Sequence, residues 1–231
     1  MRTVREAPEV ATTILGPGVD GASRFVELLA EHGVARGLIG PREVERLWDR
    51  HVLNSAVVAE LVEHGSTVVD VGSGAGLPGI PLALARPDLR VVLVESMARR
   101  VQWLEEVAAA LGLGNVEIVR ARAEACGVGG ADVVIARAVA PMAKLGGWCL
   151  PLLRLEGRLL AMKGASAAEE VERDRAELYR LGGGEPAIVA CGSGLLDDPA
   201  TVVVVPKVST PSSSKKRTSA RSRSTRRGRA S

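Results

Sequence analysis

Aromatic residues are scarce in this chain of 231 residues, which contains one Phe, one Tyr and three Trp. This scarcity excludes a surface of stacking rings, the device by which many proteins read single-stranded RNA. The three cysteines, Cys126, Cys149 and Cys191, lie far apart and form no C-x-x-C pair. Neither a zinc site nor a disulfide framework is therefore predicted, and we expect no metal cofactor.

Long apolar runs are also missing. No stretch approaches the ~20 apolar residues that span a bilayer. Residues 1–10 mix Arg, Glu and Pro and contain no apolar signal region, so we expect a cytoplasmic protein with no membrane partner. Hydrophobic residues make up 46% of the chain, which is enough to bury one core over this length, and we expect a monomer.

Charge is distributed unevenly along the chain. The net charge is +3, yet residues 207–231 hold nine of the 30 Lys and Arg residues and no acid, which leaves 21 basic and 27 acidic residues elsewhere. Residues 207–231 lack the apolar side chains that offset ordering entropy, so they are predicted to form a disordered tail. Such a tail either binds nucleic-acid phosphates through counterion release or serves as a solubilising extension.

The rest of the chain is predicted to be a single domain over residues 20–206, after a flexible segment at 1–19. Two amphipathic helices are predicted near 21–39 and 41–63. Short apolar strands then alternate with helical stretches such as 97–111, and these strands lie at 68–71, 91–95, 116–119, 133–136 and 158–162. Such alternation predicts an α/β fold with a doubly wound, mainly parallel sheet covered on both faces.

The carboxyl end of the domain follows a different pattern. Residues 187–190 and 202–205 form two strand-like runs with turn residues but no helical stretch between them. They are predicted to form an antiparallel hairpin. One antiparallel strand added to a parallel sheet is typical of class I methyltransferases.

A glycine-rich turn follows the first predicted strand, where residues 70–79 read D-V-G-S-G-A-G-L-P-G. Glycines at such a strand-to-helix turn let the backbone approach a ligand closely. The register that starts at Gly74 satisfies the dinucleotide pattern G-x-G-x-x-G, whereas counting from Gly72 gives G-x-G-x-G preceded by Asp70. An acid there favours S-adenosylmethionine, which carries a cationic sulfonium, and would repel a pyrophosphate. The alternative for Asp70 is a structural acid that caps the turn.

The next two strands carry further predicted ligand contacts. The second strand ends at Glu95, where a carboxylate can accept the ribose hydroxyls of an adenosine-type ligand. The third is followed by Ala123 and Glu124, predicted neighbours of the adenine ring, with a solvated loop acid as the alternative for Glu124. A phosphate-binding loop is not favoured because no G-K-[ST] follows the glycines.

The fourth predicted strand runs into Arg137-Ala138-Val139-Ala140-Pro141. It lacks the Asp/Asn-Pro-Pro-aromatic run of exocyclic-amine methyltransferases and the Cys after Pro of cytosine C5 enzymes. This favours an acceptor with a free lone pair, such as guanine N7, which needs neither a general base nor a covalent intermediate. Arg137 would repel a sulfonium, so its expected partner is the cofactor carboxylate or guanine O6. An ion pair with an acid of the sheet rim is the alternative.

These residues together resemble the ribosomal small subunit methyltransferase G family, also called the glucose-inhibited division protein B family. The family signature D-V-G-[ST]-G-x-G-L-P-G-[IL]-P stands at 70–81, and the likeness continues at 96–104, 123–124, 137–138 and 162–164. The resemblance implies a Rossmann-like class I S-adenosylmethionine-dependent fold. It also implies methylation of guanine N7 in 16S ribosomal RNA, presented as RNA or as a small-subunit particle. The predicted cofactor contacts are Asp70, Gly72, Gly74, Gly76, Leu77, Glu95, Ala123, Glu124 and Arg137.

The second predicted helix carries the remaining candidates. The family pattern R-H-x-x-D-S reads R-H-V-L-N-S at 50–55, so Asn54 retains a hydrogen-bonding role without charge. Arg50 and His51 are predicted, with Arg137, to be the catalytic residues, and a core histidine is the alternative for His51. Arg50 and Lys163 are predicted to bind RNA, with a salt bridge as the alternative for Lys163.

Two other functions stay open at the level of the residues. The same fold acts on small molecules or proteins in other enzymes, and a non-catalytic nucleotide-binding module would share the glycine turn. Transfer of a labelled methyl group to ribosomal RNA separates these functions from an RNA methyltransferase.

Overall fold

The computed structural model describes residues 6–137 and 139–210. These residues contain seven strands, which are β1 (Thr67–Val71), β2 (Arg90–Glu95), β3 (Val116–Arg120), β4 (Ala131–Arg137), β5 (Leu153–Met162), β6 (Ala187–Cys191) and β7 (Ala200–Pro206). They form one sheet in the order β3-β2-β1-β4-β5-β7-β6. Strands β1 to β5 pair in parallel, and β7 runs antiparallel to both β5 and β6. The predicted mainly parallel sheet with a carboxyl-terminal hairpin is confirmed.

Helices precede the sheet and alternate with its strands. The α-helices are α1 (Val10–Leu15), α2 (Val19–His32), α3 (Asn54–Ala56), α4 (Gly79–Ala85), α5 (Ala98–Leu111), α6 (Met142–Cys149) and α7 (Ala167–Arg180). Shorter 3₁₀ turns lie at Gly16–Gly18, Pro41–Arg46, Val57–Leu61, Ala123–Ala125 and Leu150–Leu152, and a π-helical segment spans Leu47–Leu53. Over residues 6–137 and 139–210, no helix combines the length and apolarity needed to cross a membrane.

The core lies on both faces of the sheet because alternate side chains of each strand point to opposite faces. Val68 and Ile135 belong to one buried cluster, which includes Phe25 of α2 and Trp48 of the π-helical segment. The residues next to them in β1 and β4 belong to a second cluster, formed with α6 and α7. The amino-terminal helices therefore complete one face of the domain and hold the π-helical segment against the sheet.

The amino-terminal segment differs from the flexible chain predicted for residues 1–19. Residues 10–15 form α1, and Ala11 and Leu15, one helical turn apart, are fully buried in the first cluster. The chain then passes α4 so closely that a Cβ on Gly18 would lie 2.2 Å from the carbonyl oxygen of Leu84. A single turn of apolar spacing is too short to stand out in the sequence, and its burial depends on α4.

The second predicted helix, 41–63, is an irregular succession of turns rather than one α-helix. It runs through a 3₁₀ turn at Pro41–Arg46, the π-helical segment Leu47–Leu53, α3 and the 3₁₀ turn Val57–Leu61. The first predicted helix likewise ends at His32 instead of residue 39. Apolar spacing shows which side chains are buried, but it does not distinguish α-helical from 3₁₀ or π-helical hydrogen bonding.

The carboxyl-terminal boundary also shifts. Lys207, placed by the sequence in the disordered tail, is buried, and its ammonium donates a hydrogen bond to the carbonyl of Leu153 at 2.7 Å. Its backbone N–H donates to Gly157 at 2.8 Å. The chain therefore stays part of the domain beyond Pro206, whereas residues 211–231, which make up most of the predicted tail, lie outside the described residues.

Replacing Leu15 by Ala tests whether α1 belongs to the core. The free energy of unfolding should fall by about 2–5 kcal/mol, since a fully buried leucine loses its contacts and leaves a cavity. The exposed Thr13 of the same helix provides a matched control, and Thr13→Ala should change stability by less than about 0.5 kcal/mol. Urea unfolding of the two variants gives the comparison, and equal small losses would show that α1 does not pack on the domain.

Candidate active site

The carboxyl ends of β1, β2, β4 and β5 surround two depressions that share a wall. The first, called the glycine cleft, has parts of about 310 and about 740 Å³ and is lined by residues that include Gly72, Glu95 and Ala123. The second, called the adjoining cavity, measures about 910 Å³ and lies between β4, β5, α7 and the β6–β7 loop. Arg50, Arg137 and Val139 line both depressions. Ligands of open α/β sheets bind at this edge, outside the carboxyl ends of the strands.

The glycine turn forms the floor of the glycine cleft. Gly72 has φ of 74° and Gly74 has φ of 54°, in the left-handed region that favours glycine. A Cβ on Gly72 would lie 3.1 Å from Val139 Cγ2, so the missing side chain keeps the space between β1 and Val139 open. Gly72, Gly74 and Leu77 all line the cleft, as the sequence predicts.

Gly76 has a different role from the predicted cofactor contact. A Cβ there would lie 2.4 Å from Ile80 Cδ1, and Gly76 does not belong to the lining of either part of the cleft. This glycine permits close packing of the turn on α4. The G-x-G-x-G spacing alone does not separate a glycine that approaches a ligand from one that approaches a helix.

Asp70 also differs from the predicted cofactor contact, because it is fully buried beneath the turn. Its Oδ2 accepts the backbone N–H of Gly79 at 3.0 Å, at the start of α4. Its Oδ1 is buried without a hydrogen-bond partner among the described residues. Burial raises the pKa of Asp70 to about 7, with the Glu95 charge as a smaller cause acting in the same direction. The structural acid that caps the turn, the alternative interpretation from the sequence, describes this geometry.

Glu95 occupies the cleft position that the sequence predicts. Its side chain is nearly buried, and its oxygens accept the N–H of Met97 at 2.9 Å and the N–H of Gly74 at 3.1 Å. Arg100 Nη1 lies 3.6 Å away. Because each carboxylate oxygen has two lone pairs, Glu95 can brace the turn and still accept hydroxyl groups from a ligand in the cleft.

The smaller part of the cleft has an apolar wall. Ala123, at the start of a 3₁₀ turn, and Glu124 line it as predicted, and Glu124 is exposed. Trp148 of α6 lines the same space and was not predicted. Its ring lies 4.9 Å from the ammonium of Lys144. A tryptophan on the helix after β4 is equally consistent with the core, so no separate signal in the sequence marks this position.

Arg137 is held by the π-helical segment and α3. Its Nη2 donates to the carbonyl of Arg50 at 2.9 Å and to His51 Nδ1 at 3.0 Å. Its Nη1 donates to the Ser55 hydroxyl at 3.1 Å and to the His51 carbonyl at 3.3 Å. These bonds match the four hydrogens on the terminal nitrogens, which leaves the Nε–H as the donor for a ligand. The terminal nitrogens of Arg137 are therefore engaged within the chain, and the predicted contact with the cofactor carboxylate or guanine O6 stays a prediction for its Nε–H.

His51 links Arg137 to a residue that the sequence did not predict. Its Nε2 lies 2.7 Å from Glu43 Oε2, and Glu43 also lines the glycine cleft. Burial lowers the pKa of His51 below its ordinary value of 6.5, and the charge of Arg137 acts in the same direction. Spacing gives no indication of Glu43, because an acid in a turn is usually solvated. The sequence therefore predicts His51 and Arg137 near the site, but neither their contact nor its third member.

No cluster of three His, Cys, Asp or Glu side chains within residues 6–137 and 139–210 is arranged to hold a metal ion. Cys149 is fully buried, and burial raises the pKa of its thiol. The residues that line both depressions are two cations, Arg50 and Arg137, and the apolar Val139.

Comparison with known proteins identifies the family. A family model described as rRNA small subunit methyltransferase G matches residues 19–196. This chain belongs to that family. Proteins named ribosomal RNA small subunit methyltransferase G from Rhodococcus jostii and Mycobacterium marinum are 58% and 52% identical to it, over 86% and 85% of this chain and 88% and 87% of theirs. The predicted family, and with it the predicted methyltransferase, are confirmed.

Solved structures support the fold. A putative S-adenosylmethionine-dependent methyltransferase from Methanococcus maripaludis aligns with a TM-score of 0.56 and 16% identity, over 84% of this chain and 94% of its own. M. jannaschii TYW2, solved in complex with AdoMet, aligns with a TM-score of 0.53 and 20% identity, over 68% of this chain and 74% of its own. The class I methyltransferase fold predicted for this member of the methyltransferase G family is confirmed.

Asn54, where the methyltransferase G pattern has an acid, connects α3 with the β6–β7 loop at the adjoining cavity. Its Nδ2 donates to the backbone carbonyl of Asp198 at 2.9 Å, in the β6–β7 loop. Asn54 and Asp198 both line the cavity. A carboxylate cannot donate this bond, so the hydrogen-bonding role expected for Asn54 is the one observed in this methyltransferase.

Lys163 lines the adjoining cavity and already has partners within the chain. Its ammonium, 8% exposed, donates to Glu170 at 2.8 Å and to the Ala140 carbonyl at 2.6 Å. The hydrogen bond from Lys163 in turn lowers the pKa of Glu170. The salt bridge, the alternative interpretation from the sequence, describes Lys163, since an RNA phosphate would have to displace a partly buried carboxylate.

Asp70 should give this methyltransferase a recognisable pH dependence of stability. The folded chain holds the Asp70 proton up to about pH 7, whereas the unfolded chain releases it near pH ~4. The folded state therefore binds more protons in this window, and wild type should lose stability relative to Asp70→Asn as pH rises from about 4 to about 7. Asp88→Asn is the control of opposite sign, because its Arg86 partner lowers the pKa of Asp88. Denaturant unfolding from about pH 3 to about pH 7 measures both differences, because that of Asp88→Asn develops below about pH 4, and parallel curves for wild type and Asp70→Asn would contradict the assignment.

Proposed function

We propose that this chain binds S-adenosylmethionine in the glycine cleft and transfers its methyl group to N7 of a guanosine in 16S ribosomal RNA. The guanine enters the adjoining cavity, and the enzyme works as a cytoplasmic monomer on RNA or on the small-subunit particle. The observation that carries the proposal is the shared wall at the end of β4. Because Arg137 and Val139 border both depressions, a donor in one and an acceptor in the other meet at a single place.

The residues of the glycine cleft fit the cofactor. The open space above Gly72 accommodates a group close to the backbone. The Glu95 carboxylate faces the same cleft and accepts ribose hydroxyls, while Ala123 and Trp148 supply apolar walls for an adenine ring. When bound, S-adenosylmethionine supplies an electrophilic methyl group on a sulfonium. The carboxylates of Glu43 and Glu95 are the acids that line the larger part of the cleft, and they favour a cationic ligand there.

The shared wall suits an acceptor that needs no base. His51 uses one ring nitrogen on Arg137 and the other on Glu43, so it is committed to positioning rather than to proton abstraction. Guanine N7 brings its own lone pair, and alignment is the enzyme's main contribution. Arg137 supplies a fixed positive charge and its Nε–H beside the acceptor, which suits the O6 edge of guanine.

Arg50 is the cation available for RNA at the rim. Its backbone carbonyl holds Arg137, while its exposed guanidinium makes no hydrogen bond or ion pair with the described residues. Lys163, by contrast, is neutralised by Glu170. Relatives 52–58% identical to this chain are named for methylation of small-subunit ribosomal RNA, and a phosphate contact by Arg50 would position such a substrate.

The proposed function is tested with labelled methyl groups. The purified chain is incubated with methyl-labelled S-adenosylmethionine and 16S ribosomal RNA, as free RNA and as small-subunit particles, both isolated from cells that lack the modification. Nuclease digestion and mass spectrometry should identify one 7-methylguanosine. Label on another base, or on protein or small molecules only, would contradict the proposal.

Gly72→Ala should weaken cofactor binding at least about tenfold, because its Cβ would narrow the space next to Val139. Gly112→Ala is a matched control, since Gly112 also has positive φ but a Cβ there meets nothing within 4 Å. Both variants should lose about 1 kcal/mol of stability through the strained backbone. Calorimetric titration with S-adenosylmethionine distinguishes them, and equal affinities would remove Gly72 from the cofactor site.

Arg137→Ala should lower the rate of methyl transfer about 100-fold or more. The wall between the two depressions loses the Arg137 charge and the four hydrogen bonds that the guanidinium donates. Arg137→Lys should recover only part of this loss, because a point charge does not replace a planar fork. Arg158→Ala, which removes a cation paired with Glu63 elsewhere on the sheet, is the control and should retain activity. The initial rate on 16S ribosomal RNA is measured for each, and activity within about twofold of wild type in Arg137→Ala would rule out this role.

A further inference from the structure

Glu43, His51 and Arg137 form a continuous chain of hydrogen bonds along one side of the glycine cleft. Glu43 Oε2 lies 2.7 Å from His51 Nε2, and His51 Nδ1 lies 3.0 Å from Arg137 Nη2. The His51 side chain is 12% exposed and that of Glu43 is 32% exposed. The three residues come from separate elements, namely the 3₁₀ turn Pro41–Arg46, the π-helical segment and β4.

The direction of each bond follows from the donors present. A guanidinium has donors and no acceptor, so the bond to Arg137 requires a lone pair on His51 Nδ1. The imidazole is then neutral, with its proton on Nε2, and this N–H donates to the Glu43 carboxylate. The opposite tautomer would place an N–H of His51 against an N–H of Arg137. A carboxylate can only accept, so Glu43 selects the tautomer that Arg137 needs.

The charges around His51 agree with this assignment. Burial, Arg137 and Arg50 lower the pKa of His51, and Glu43 opposes them. The hydrogen bond from His51 in turn lowers the pKa of Glu43 below 4.5, which keeps the acceptor ionised. Near pH ~7 the His51 ring is thus neutral, so its Nε2–H donates to Glu43 and its Nδ1 accepts from Arg137.

We propose that Glu43 is a positioning residue for methyl transfer, which acts by holding His51 in the Nε2–H tautomer and thereby holding the Arg137 guanidinium at the wall between the two depressions. This inference rests on the proposed function of the same site. It assigns Glu43 a role through His51 and Arg137, without contact with the reacting atoms. The arrangement parallels sites in which a carboxylate orients an imidazole that in turn orients a third group.

The proposal has a consequence for pH dependence. Protonation of His51 turns Nδ1 into a donor and breaks its bond to Arg137, so the rate should fall as pH drops through the pKa of His51. The charged groups that bear on the ring are Glu43 on the preceding 3₁₀ turn, Arg50 on the same π-helical segment and Arg137 on β4. Among these charges only that of Glu43 favours the imidazolium, so removing it lowers the pKa of His51 further. The acid limb of the rate profile should therefore move to lower pH, opposite to the effect of simple destabilisation.

Glu43→Gln provides the test, with Glu45→Gln as its matched control. The introduced amide both donates and accepts, so both tautomers of His51 are allowed and the rate at about pH 8 should fall about tenfold. Glu45 lies in the same 3₁₀ turn and is exposed, so Glu45→Gln makes the same charge change and should leave rate and profile unaltered. In a His51→Ala background, Glu43→Gln should have no further effect, because the two residues act as one unit.

Two measurements decide the outcome. Nitrogen NMR of the imidazoles, assigned with His51→Gln, should show the Nε2–H tautomer at about pH 8 in wild type and a mixture in Glu43→Gln. Methyl transfer to 16S ribosomal RNA across about pH 5–9 should show the lower rate and the shifted acid limb. A wild-type His51 that is charged or carries its proton on Nδ1 would overturn the proposal, as would an unchanged rate and profile in Glu43→Gln. Because the tautomer is read without activity, a wild-type chain that methylates nothing would count against the proposed function alone.

Discussion

The arrangement of the site depends on the hydrogen bonds between Arg137 and the π-helical segment. Arg137 ends β4, and its guanidinium bonds to the carbonyls of Arg50 and His51 and to the hydroxyl of Ser55. These bonds join the amino-terminal helices to the carboxyl edge of the sheet. A partly buried guanidinium is costly unless its donors are satisfied, and the irregular turns of residues 47–56 supply the acceptors. The two depressions are adjacent because this junction stands between them.

The acids of the site have separate roles that follow from whether each one lines the cleft. Asp70 lies beneath the glycine turn, where desolvation raises its pKa to about 7 and its contact is the N–H of Gly79. Glu95 accepts a hydrogen bond from the same turn and also lines the cleft. Glu43 lines the cleft as well and is hydrogen-bonded to His51. An acid near a glycine turn therefore has two possible functions, ligand contact and support of the turn, and its position in the cleft wall or beneath the turn decides between them.

The cations show the same dependence on partners. Lys163 and Arg173 both line the adjoining cavity, but each is paired with an acid of α7. Arg50 keeps an exposed guanidinium that the described residues leave unpaired. Basic residues near a nucleic-acid site are thus not equivalent, because one already neutralised by a neighbour contributes little to binding a phosphate. This distinction separates Arg50 and Arg137 from the other two cations that line the adjoining cavity.

The sequence by itself determined the alternation of strands and helices, the antiparallel hairpin, the family and the place of the cleft after the glycine turn. These follow from patterns that are local in the chain, such as apolar period and the D-V-G-S-G motif. Only the tertiary structure decided that α1 is packed, that Asp70 and Gly76 support the turn, that Lys163 is paired, and that Glu43 reaches Arg137 through His51. The physical reason is that the protonation state and partners of a side chain depend on which distant residues surround it. His51 and Arg137 meet across 86 residues of sequence, and nothing in the local spacing around either residue encodes that distance.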